Sequence, residues 1–444
     1  MADPPQAELT KFLNRVGRLR SYVAILLSFG SLVLVWRVLF VPFGSAVYPI
    51  GDWLPEAILS IVLSLSLVNT VAEFLARRPR WHTRAGTEHA EAVRSWSARF
   101  GVTPPQVLVT RSRYLPGIGL RGWGKKVAIV ITTATSVSWE ISPSKRVVHL
   151  AHELAHIWAH DLRLYYRVLS ITAISIASLV SLTVATWWND GNQYDDDIAL
   201  FMARVALLAA LTFLAGRAYL RFREHVADVT AMLMIDDTAM VRGELVGAPD
   251  QRLLGRLIGT HPSREARLAM LFNPTLLFKS ETSVFLALGC AVGFFHYAIT
   301  YLLHPIALAS RMPGRSVFLV GSIVVAGLLA AALPRTLLEQ FVFHRDSMRS
   351  TVIRMSVLFL GIPIGMLFLS PMQLIPEGII HPSRWLLAAV ASLTGGVVVA
   401  GACLALVLTN EDAKPKTAAM LFSRVAMFLA VILMVWLTGR LFAS

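Results

Sequence analysis

Residues 147–161 of the chain read Val-Val-His-Leu-Ala-His-Glu-Leu-Ala-His-Ile-Trp-Ala-His-Asp. His152 and His156 are four residues apart, so on an α-helix their imidazoles stack on one face. Two imidazoles in this arrangement can hold one zinc ion, and Glu153 lies beside them, where a carboxylate can take a proton from a water that the metal activates. A His-rich helix that merely faces water is the competing interpretation of this motif taken alone. The stretch therefore predicts a helix suited to hydrolytic metal chemistry.

A catalytic zinc ion needs a third protein ligand and leaves its fourth position for water. Residues 221–228, Arg-Phe-Arg-Glu-His-Val-Ala-Asp, offer Glu224, with His225 as an alternative. Two long apolar segments joined by a short loop separate His156 from Glu224, so they are expected to form an antiparallel hairpin whose near ends are neighbours. Packed helices lie about 8–10 Å apart, which brings Glu224 within reach of the histidines. The hairpin favours this role over that of an ordinary surface carboxylate.

The composition of the chain is that of a membrane protein. Of 444 residues, 55% are hydrophobic and 15% charged, whereas a soluble domain has about 25% charged residues. Two cysteines exclude a disulfide framework. Apolar segments of about 20 residues are long enough to span a bilayer. Nine segments meet this criterion: Tyr22–Val41, Leu54–Leu75, Leu164–Trp187, Ile198–Leu220, Val284–Leu303, Val317–Leu333, Ile353–Ser370, Leu386–Thr409 and Val425–Phe442.

The positions of the basic residues predict the orientation of the chain. Lys and Arg are frequent before the first span and after the second, whereas the loop between those spans has none and the loop after the third span is acidic. This bias places the N-terminus and two polar stretches, residues 77–163 and 221–282, in the cytoplasm. The net charge of +14 is thus explained by membrane topology. No nucleic-acid partner is expected, because there is no recognisable binding module.

Three regions follow from this pattern. Residues 1–76 contain two transmembrane helices, residues 77–282 form a small α+β cytoplasmic domain interrupted by a transmembrane hairpin at about 164–220, and residues 283–444 add about five helices. The fold class is therefore mostly α and polytopic. Within the small domain, the β-branched runs at 107–110 and 127–133 predict a small hairpin or sheet edge. Ser142 followed by Pro143 predicts the start of the His-rich helix.

These motifs together resemble a known family. His152-Glu153-Leu154-Ala155-His156, with Asp161 five residues on, resembles the active-site helix of the integral-membrane zinc metallopeptidases, which include the bacterial heat-shock protease X and the CAAX prenyl endopeptidases. Residues 224–228 are similar to the Glu-x-x-Ala-Asp element of that family, and residues 260–267 resemble its later His-Pro…Arg element. The resemblance extends over roughly residues 20–275 in order and spacing.

The resemblance implies one zinc ion per chain, with His152, His156 and Glu224 as its ligands. It implies that Glu153 is the general base, and that it then donates the proton to the leaving amine.

The resemblance also implies roles for residues around the metal. Asp161 and Asp228 would orient the ligand imidazoles. His261 would hydrogen-bond the oxyanion of the tetrahedral intermediate, with Arg267 assisting. The competing interpretation of His261 is that of a helix-entry residue before Pro262.

Substrate binding is the point at which the chain departs from the family. The usual Asn-Ala-x-Ala element is missing from residues 114–120. Substrate is still expected to add as a β-strand at Val127, Ile129, Ile131 and Thr133, because an open edge offers main-chain hydrogen bonds whatever the side chains.

We therefore expect a membrane-embedded zinc endopeptidase of the bacterial plasma membrane. Its catalytic domain would face the cytoplasm, and its partners would be membrane lipids and membrane-associated polypeptide substrates. His149 and His160 share a face with the ligands and are expected to lie near the metal without binding it. Two alternatives remain: a multi-span transporter or scaffold with a structural zinc site of four protein ligands, and a regulatory binding protein without turnover.

Overall fold

A computed structural model of the chain describes residues 20, 22–32, 66–77, 82–111, 117–122, 127–160, 162–190, 196–235, 237–246, 261–278, 281–309, 314–344, 348–369, 382–408 and 417–442. Asp161 and much of the first two predicted spans lie outside these residues.

Helices predominate along the chain, and short strands occur between residues 82 and 132. The elements, in chain order, are α1 (Tyr22–Leu32), α2 (Ser66–Ala76), β1 (His82–Arg84), α3 (Thr87–Phe100), β2 (Gln106–Thr110), β3 (Ile118–Arg121), β4 (Ala128–Thr132), α4 (Thr133–Ile141), α5 (Pro143–Trp158), α6 (Leu162–Asp190), α7 (Asp196–Ile235), α8 (Thr238–Val246), α9 (Arg264–Phe272), a 3₁₀ turn (Pro274–Phe278), α10 (Thr282–Ala309), α11 (Gly314–His344), α12 (Met348–Phe368), α13 (Pro382–Leu408) and α14 (Thr417–Phe442).

These elements are divided between two compact units. The first contains the described residues within Leu67–Ser170 and Arg217–Leu277, and the second those within Arg18–Ser66, Ile171–Gly216 and Phe278–Ser444. The residues Ile171–Gly216 of the predicted transmembrane hairpin thus belong to the second unit, and they separate the two segments of the first unit along the chain.

A four-stranded sheet of order β1-β2-β4-β3 lies in the first unit. The strands β2 and β4 pair in parallel, whereas β1 with β2 and β3 with β4 are antiparallel. The predicted hairpin of 107–110 with 127–133 is therefore wrong, because a parallel pair needs a crossover connection. Ala128, Ile129 and Ile131 of β4 are fully buried, as expected for an interior strand rich in β-branched residues.

The interior position of β4 corrects the predicted substrate strand. Val127, Ile129, Ile131 and Thr133 do not lie along an open edge, since β4 is hydrogen-bonded to β2 on one side and to β3 on the other. Val127 precedes the strand, and Thr133 is already the first residue of α4. Among the described strands, β3 and β1 are at the edges of the sheet.

The helix α5 begins where the sequence predicts. The Ser142 hydroxyl accepts a hydrogen bond from the Lys145 backbone N–H, and Pro143 is at the first helical position. One side of α5 packs on the sheet, where Leu150 is buried with Ile131 and with Trp139 of α4. This packing leaves the side that carries His152 and Glu153 facing a cavity.

Four described helical segments are long and apolar enough to cross a membrane: Leu162–Ser181, Leu200–Ile235, Thr282–Thr300 and Arg349–Leu367. Five shorter apolar helices overlap the other predicted spans: Tyr22–Leu32, Ser66–Ala76, Ser316–Ala331, Leu387–Val399 and Ser423–Leu437. The prediction of a mostly helical protein is confirmed, and the four long segments are candidate membrane-spanning helices by their length and composition. The number nine is not confirmed, partly because residues 33–65 are outside the described part.

Glycines allow close helix packing in the second unit. A Cβ at Gly216 of α7 would lie 2.6 Å from the Thr172 hydroxyl oxygen of α6, so these two helices are in contact as the predicted hairpin requires. A Cβ at Gly289 of α10 would lie 2.0 Å from the Leu358 backbone oxygen of α12. Only a residue without a side chain permits such an approach of two backbones.

Candidate active site

The helix α5 presents His152 and Glu153 of the predicted motif to a cavity of about 250 Å³ in the first unit. The side chains of His152 and His156 are 14% and 7% exposed, and their rings lie edge to face with centroids 5.0 Å apart. Glu153 is buried within the same turn, yet it lines the cavity. Among the described residues its carboxylate has no hydrogen-bond partner, so this group is available to a ligand in the cavity.

Glu224 comes from α7, which continues well beyond the predicted end of its span at Leu220. One carboxylate oxygen lies 3.4 Å from His152 Nε2, and the other lies 3.7 Å from His156 Nε2. The candidate ligand atoms of these three residues are all within 4.8 Å of one another. The structure therefore brings together the three predicted metal ligands. His225 is buried and does not belong to this group.

Asp228 lies one turn after Glu224 on α7 and contacts the other side of the His152 ring. Its Oδ1 is 2.9 Å from His152 Nδ1. Arg267 of α9 donates to both oxygens of Asp228, through Nε and Nη2, each at 2.6 Å. Because a carboxylate only accepts, Nδ1 of His152 carries a proton, and Nε2 faces Glu224. Partners of this kind fix the orientation of metal-binding histidines.

His261 precedes α9 and contacts the carboxylate of Glu224. Its Nδ1 is 2.7 Å from Glu224 Oε2, and its side chain is 52% exposed. The negative charge of Glu224 raises the pKa of His261. This contact orients Glu224, and it leaves Nε2 of His261 as a further donor. The oxyanion role of His261 stays a prediction.

Burial and hydrogen bonds shift the pKa values of Glu153 and His152 on α5. Burial raises the pKa of Glu153, against the opposing effect of the His152 charge. Burial alone would lower the pKa of His152, but its hydrogen bonds to Asp228 and Glu224 raise it overall. A carboxyl group with a raised pKa is a better proton acceptor near neutral pH than an exposed one.

A second histidine of α5 has its own hydrogen-bond partner. The indole N–H of Trp139 donates to His149 Nδ1 at 3.1 Å. Since Nδ1 must accept, His149 is neutral and carries its proton on Nε2. His149 lines the cavity, whereas His160 is exposed beyond the end of α5 with φ at +52°. His149 therefore belongs to the cavity wall and is not among the candidate metal ligands.

Three features in or beside the cavity were not predicted. Glu244 of α8 lines the cavity and accepts a hydrogen bond from the Ser144 hydroxyl at 3.1 Å. Trp139 was not singled out by any motif. Ile118, on the edge strand β3, also lines the cavity. A carboxylate on a nine-residue helix gives no local signal of its role, because its partner Ser144 is 100 residues away in the sequence.

The donor set fits a zinc ion. Two nitrogen and oxygen ligands at about 2.0–2.2 Å from one ion are at most about 4.2 Å apart. The separations of 3.4 Å and 3.7 Å from Glu224 to the two imidazoles satisfy this limit. Two histidines and one carboxylate are also a ligand set of catalytic rather than structural zinc sites.

A known protein family matches the region of the chain that contains the candidate site. Residues 117–275 match the family model described as Peptidase family M48, so the resemblance to membrane zinc metallopeptidases is confirmed over this region. The match indicates a peptidase, and it includes every candidate residue described above. No curated protein and no solved structure matches the chain.

Proposed function

We propose that this protein is a membrane-embedded, zinc-dependent endopeptidase that cleaves membrane-associated proteins or peptides at the cytoplasmic face of a bacterial plasma membrane. The observation that carries the proposal is the meeting of His152, His156 and Glu224 next to a cavity that is lined by the carboxylate of Glu153, which has no hydrogen-bond partner among the described residues.

His152, His156 and Glu224 would hold the zinc ion. When bound there, zinc supplies a Lewis acid and lowers the pKa of water to about 7. Asp228, fixed by Arg267, keeps His152 in the tautomer that offers Nε2. The hydrogen bond between His261 Nδ1 and Glu224 Oε2 holds the Glu224 carboxylate beside the two histidines.

Glu153 would move the proton. Its buried carboxylate takes a proton from the attacking water and passes it to the nitrogen of the leaving amine, which restores the carboxylate. The raised pKa of Glu153 favours the first of these transfers. The exposed His261 can donate from Nε2 to the developing oxyanion, a contribution of about 10²–10³ in turnover at comparable sites.

Substrate would pair with β3 rather than β4. The strand β3 is at the edge of the sheet, and its first residue, Ile118, lines the cavity. Main-chain hydrogen bonds along Ile118–Arg121 would hold an extended peptide beside the metal.

The membrane location rests on the apolar helices and on charge. Four described segments are suited to crossing a bilayer, and the excess of Lys and Arg beside them favours a cytoplasmic catalytic domain. Substrates of such an enzyme would reach the cavity at the membrane surface. A structural zinc site would need four protein ligands, whereas the candidate group among the described residues has three. This difference favours a hydrolase over a scaffold.

The test compares purified full-length protein with three variants in detergent. We expect Glu153→Gln to retain one zinc ion per chain and to lose cleavage of a casein or membrane-protein substrate. His156→Ala and Glu224→Ala should lose both zinc and cleavage. Cleavage by Glu153→Gln at the wild-type rate would refute the mechanism, and full zinc occupancy in Glu224→Ala would refute the ligand set. A wild-type protein that binds zinc but cleaves nothing would favour a regulatory role. Proteomics of membrane fractions with wild type against Glu153→Gln would identify substrates.

A further inference from the structure

Beside the candidate metal ligands, the cavity has a wall that the proposed chemistry does not use. It is formed by Val148 and His149 of α5, Ala231 of α7, and Val241 and Glu244 of α8. His149 is three residues before His152, which is about 4.5 Å along a helix. A side chain held against this wall therefore belongs to a substrate residue next to the bond that is cleaved.

The wall is apolar apart from two groups. Val148 and Val241 are buried, and Ala231 is 1% exposed, so these side chains suit the aliphatic part of a long side chain. His149 carries no charge, because its Nδ1 accepts from the Trp139 indole. It therefore does not neutralise a carboxylate in the same cavity.

Glu244 brings the unbalanced charge. Its partner among the described residues is the Ser144 hydroxyl, which is neutral and contacts Oε1. Arg267, the one arginine among the described residues of the cavity lining, is held by both oxygens of Asp228. Within the described part of the chain, Glu244 thus presents to the cavity a carboxylate that forms no ion pair with a lysine or arginine. Partly buried carboxylates are stabilised by a bound cation.

We propose that this wall is a substrate pocket that selects a lysine or arginine next to the scissile bond, with Glu244 as the residue that determines the specificity. The aliphatic stem packs on Val148, Ala231 and Val241, and the cationic end pairs with Glu244. The proposal rests on the proposed peptidase function for its setting, but the preference for a basic side chain follows from the pocket itself. Proteins with basic segments next to their transmembrane helices would supply such residues.

The first experiment measures binding without turnover. Zinc-loaded, full-length Glu153→Gln protein is used to select from a random peptide library, and the same selection is made with Glu153→Gln/Glu244→Gln. We expect Lys and Arg to be enriched about 10- to 100-fold at one position, as for hydrogen bonds to a charged group, and the enrichment to vanish in the double variant. Glu140 is exposed on α4 and does not line the cavity, so Glu153→Gln/Glu140→Gln is the matched control and should keep the enrichment.

The second experiment measures cleavage of peptides that carry Lys, Met or Glu at the selected position. Wild type should cleave the Lys peptide with at least a tenfold higher kcat/KM than the Met peptide, Glu244→Gln should reduce this ratio to within twofold, and Glu244→Lys should favour the Glu peptide. Binding or cleavage that is indifferent to the Lys side chain, or a preference that survives in Glu244→Gln, would overturn the proposal. If wild type cleaves nothing but the binding preference is present and depends on Glu244, the pocket stands and the peptidase assignment fails.

Discussion

Asp228→Asn tests the hydrogen-bond chain that runs from Arg267 through Asp228 to His152. Asp228 accepts two hydrogen bonds from Arg267 at 2.6 Å and one from His152 at 2.9 Å. An asparagine has one acceptor oxygen and one amide nitrogen. If the oxygen takes the place of Oδ1, the amide meets Arg267 Nε–H. If the amide is turned round, it meets His152 Nδ1–H instead. At least one hydrogen bond is lost in either orientation.

The expected magnitude follows from this geometry. The side chain of Asp228 is 3% exposed, and removing one partner of a buried ion pair costs about 3–5 kcal/mol. Loss of the orienting partner of a metal-binding histidine lowers metal affinity by about 10- to 100-fold. We therefore expect Asp228→Asn to lower Tm and to raise the zinc Kd by that factor.

The assay is a titration of zinc against a competing chelator in detergent, together with a thermal unfolding curve. The matched control is Glu88→Gln, which breaks the Glu88–Arg146 pair. Glu88 is 67% exposed, and exposed pairs contribute about 0–1 kcal/mol. The control should change neither the zinc Kd nor the Tm appreciably. A zinc Kd for Asp228→Asn within threefold of the wild-type value would refute the orienting role of Asp228.

Two other predictions concern packing and pH. Gly289→Ala is expected to lower the free energy of unfolding by about 1–3 kcal/mol through overpacking, because its Cβ would lie 2.0 Å from the Leu358 backbone oxygen. Gly327→Ala is the control, since nothing lies within 4 Å of its Cβ. Equal Tm values for the two variants would contradict the reasoning. Burial, together with the nearby charge of His152, lowers the pKa of His149 from 6.5 to about 4. Between these pH values the unfolded chain binds a proton that the folded protein does not. The free energy of unfolding should therefore decrease by up to about 3 kcal/mol as the pH is lowered from 6.5 to 4. His149→Gln should flatten that dependence in denaturant titrations from pH 7 to pH 4, and an unchanged slope would refute it.

Local signals in the sequence predicted the centre of the site. The spacing of His152 and His156 and the Ser142 cap depend on residues within a few positions of one another, so the helix α5 could be predicted from the chain alone. Predicting the position of Glu224 required one further inference, that the two apolar segments between His156 and Glu224 form an antiparallel hairpin. The prediction ended the span at Leu220, whereas α7 continues to Ile235 and carries the carboxylate on a continuous helix.

Contacts between distant segments could not be predicted in this way. The strand β3 is only four residues long and contains Gly119, so it gives a weak strand signal. Without β3, the apolar run of β4 was interpreted as an open edge. The pairing of β4 on both sides corrects that error and moves the expected substrate contact to Ile118. Glu244 was missed for a related reason, because only the fold brings α8 to the cavity.

The distribution of hydrogen bonds separates the roles of the two carboxylates beside the histidines. Glu224 is surrounded by imidazoles, with its oxygens 3.4 Å from His152, 3.7 Å from His156 and 2.7 Å from His261. Three such neighbours fix its orientation, as a metal ligand requires. Glu153 has no hydrogen-bond partner among the described residues, so none of them competes for its proton or ties it to one position. A general base must exchange protons, whereas a metal ligand must keep its position. Glu153 on α5 and Glu224 on α7 have identical side chains, and they meet these opposite requirements only because their surroundings differ.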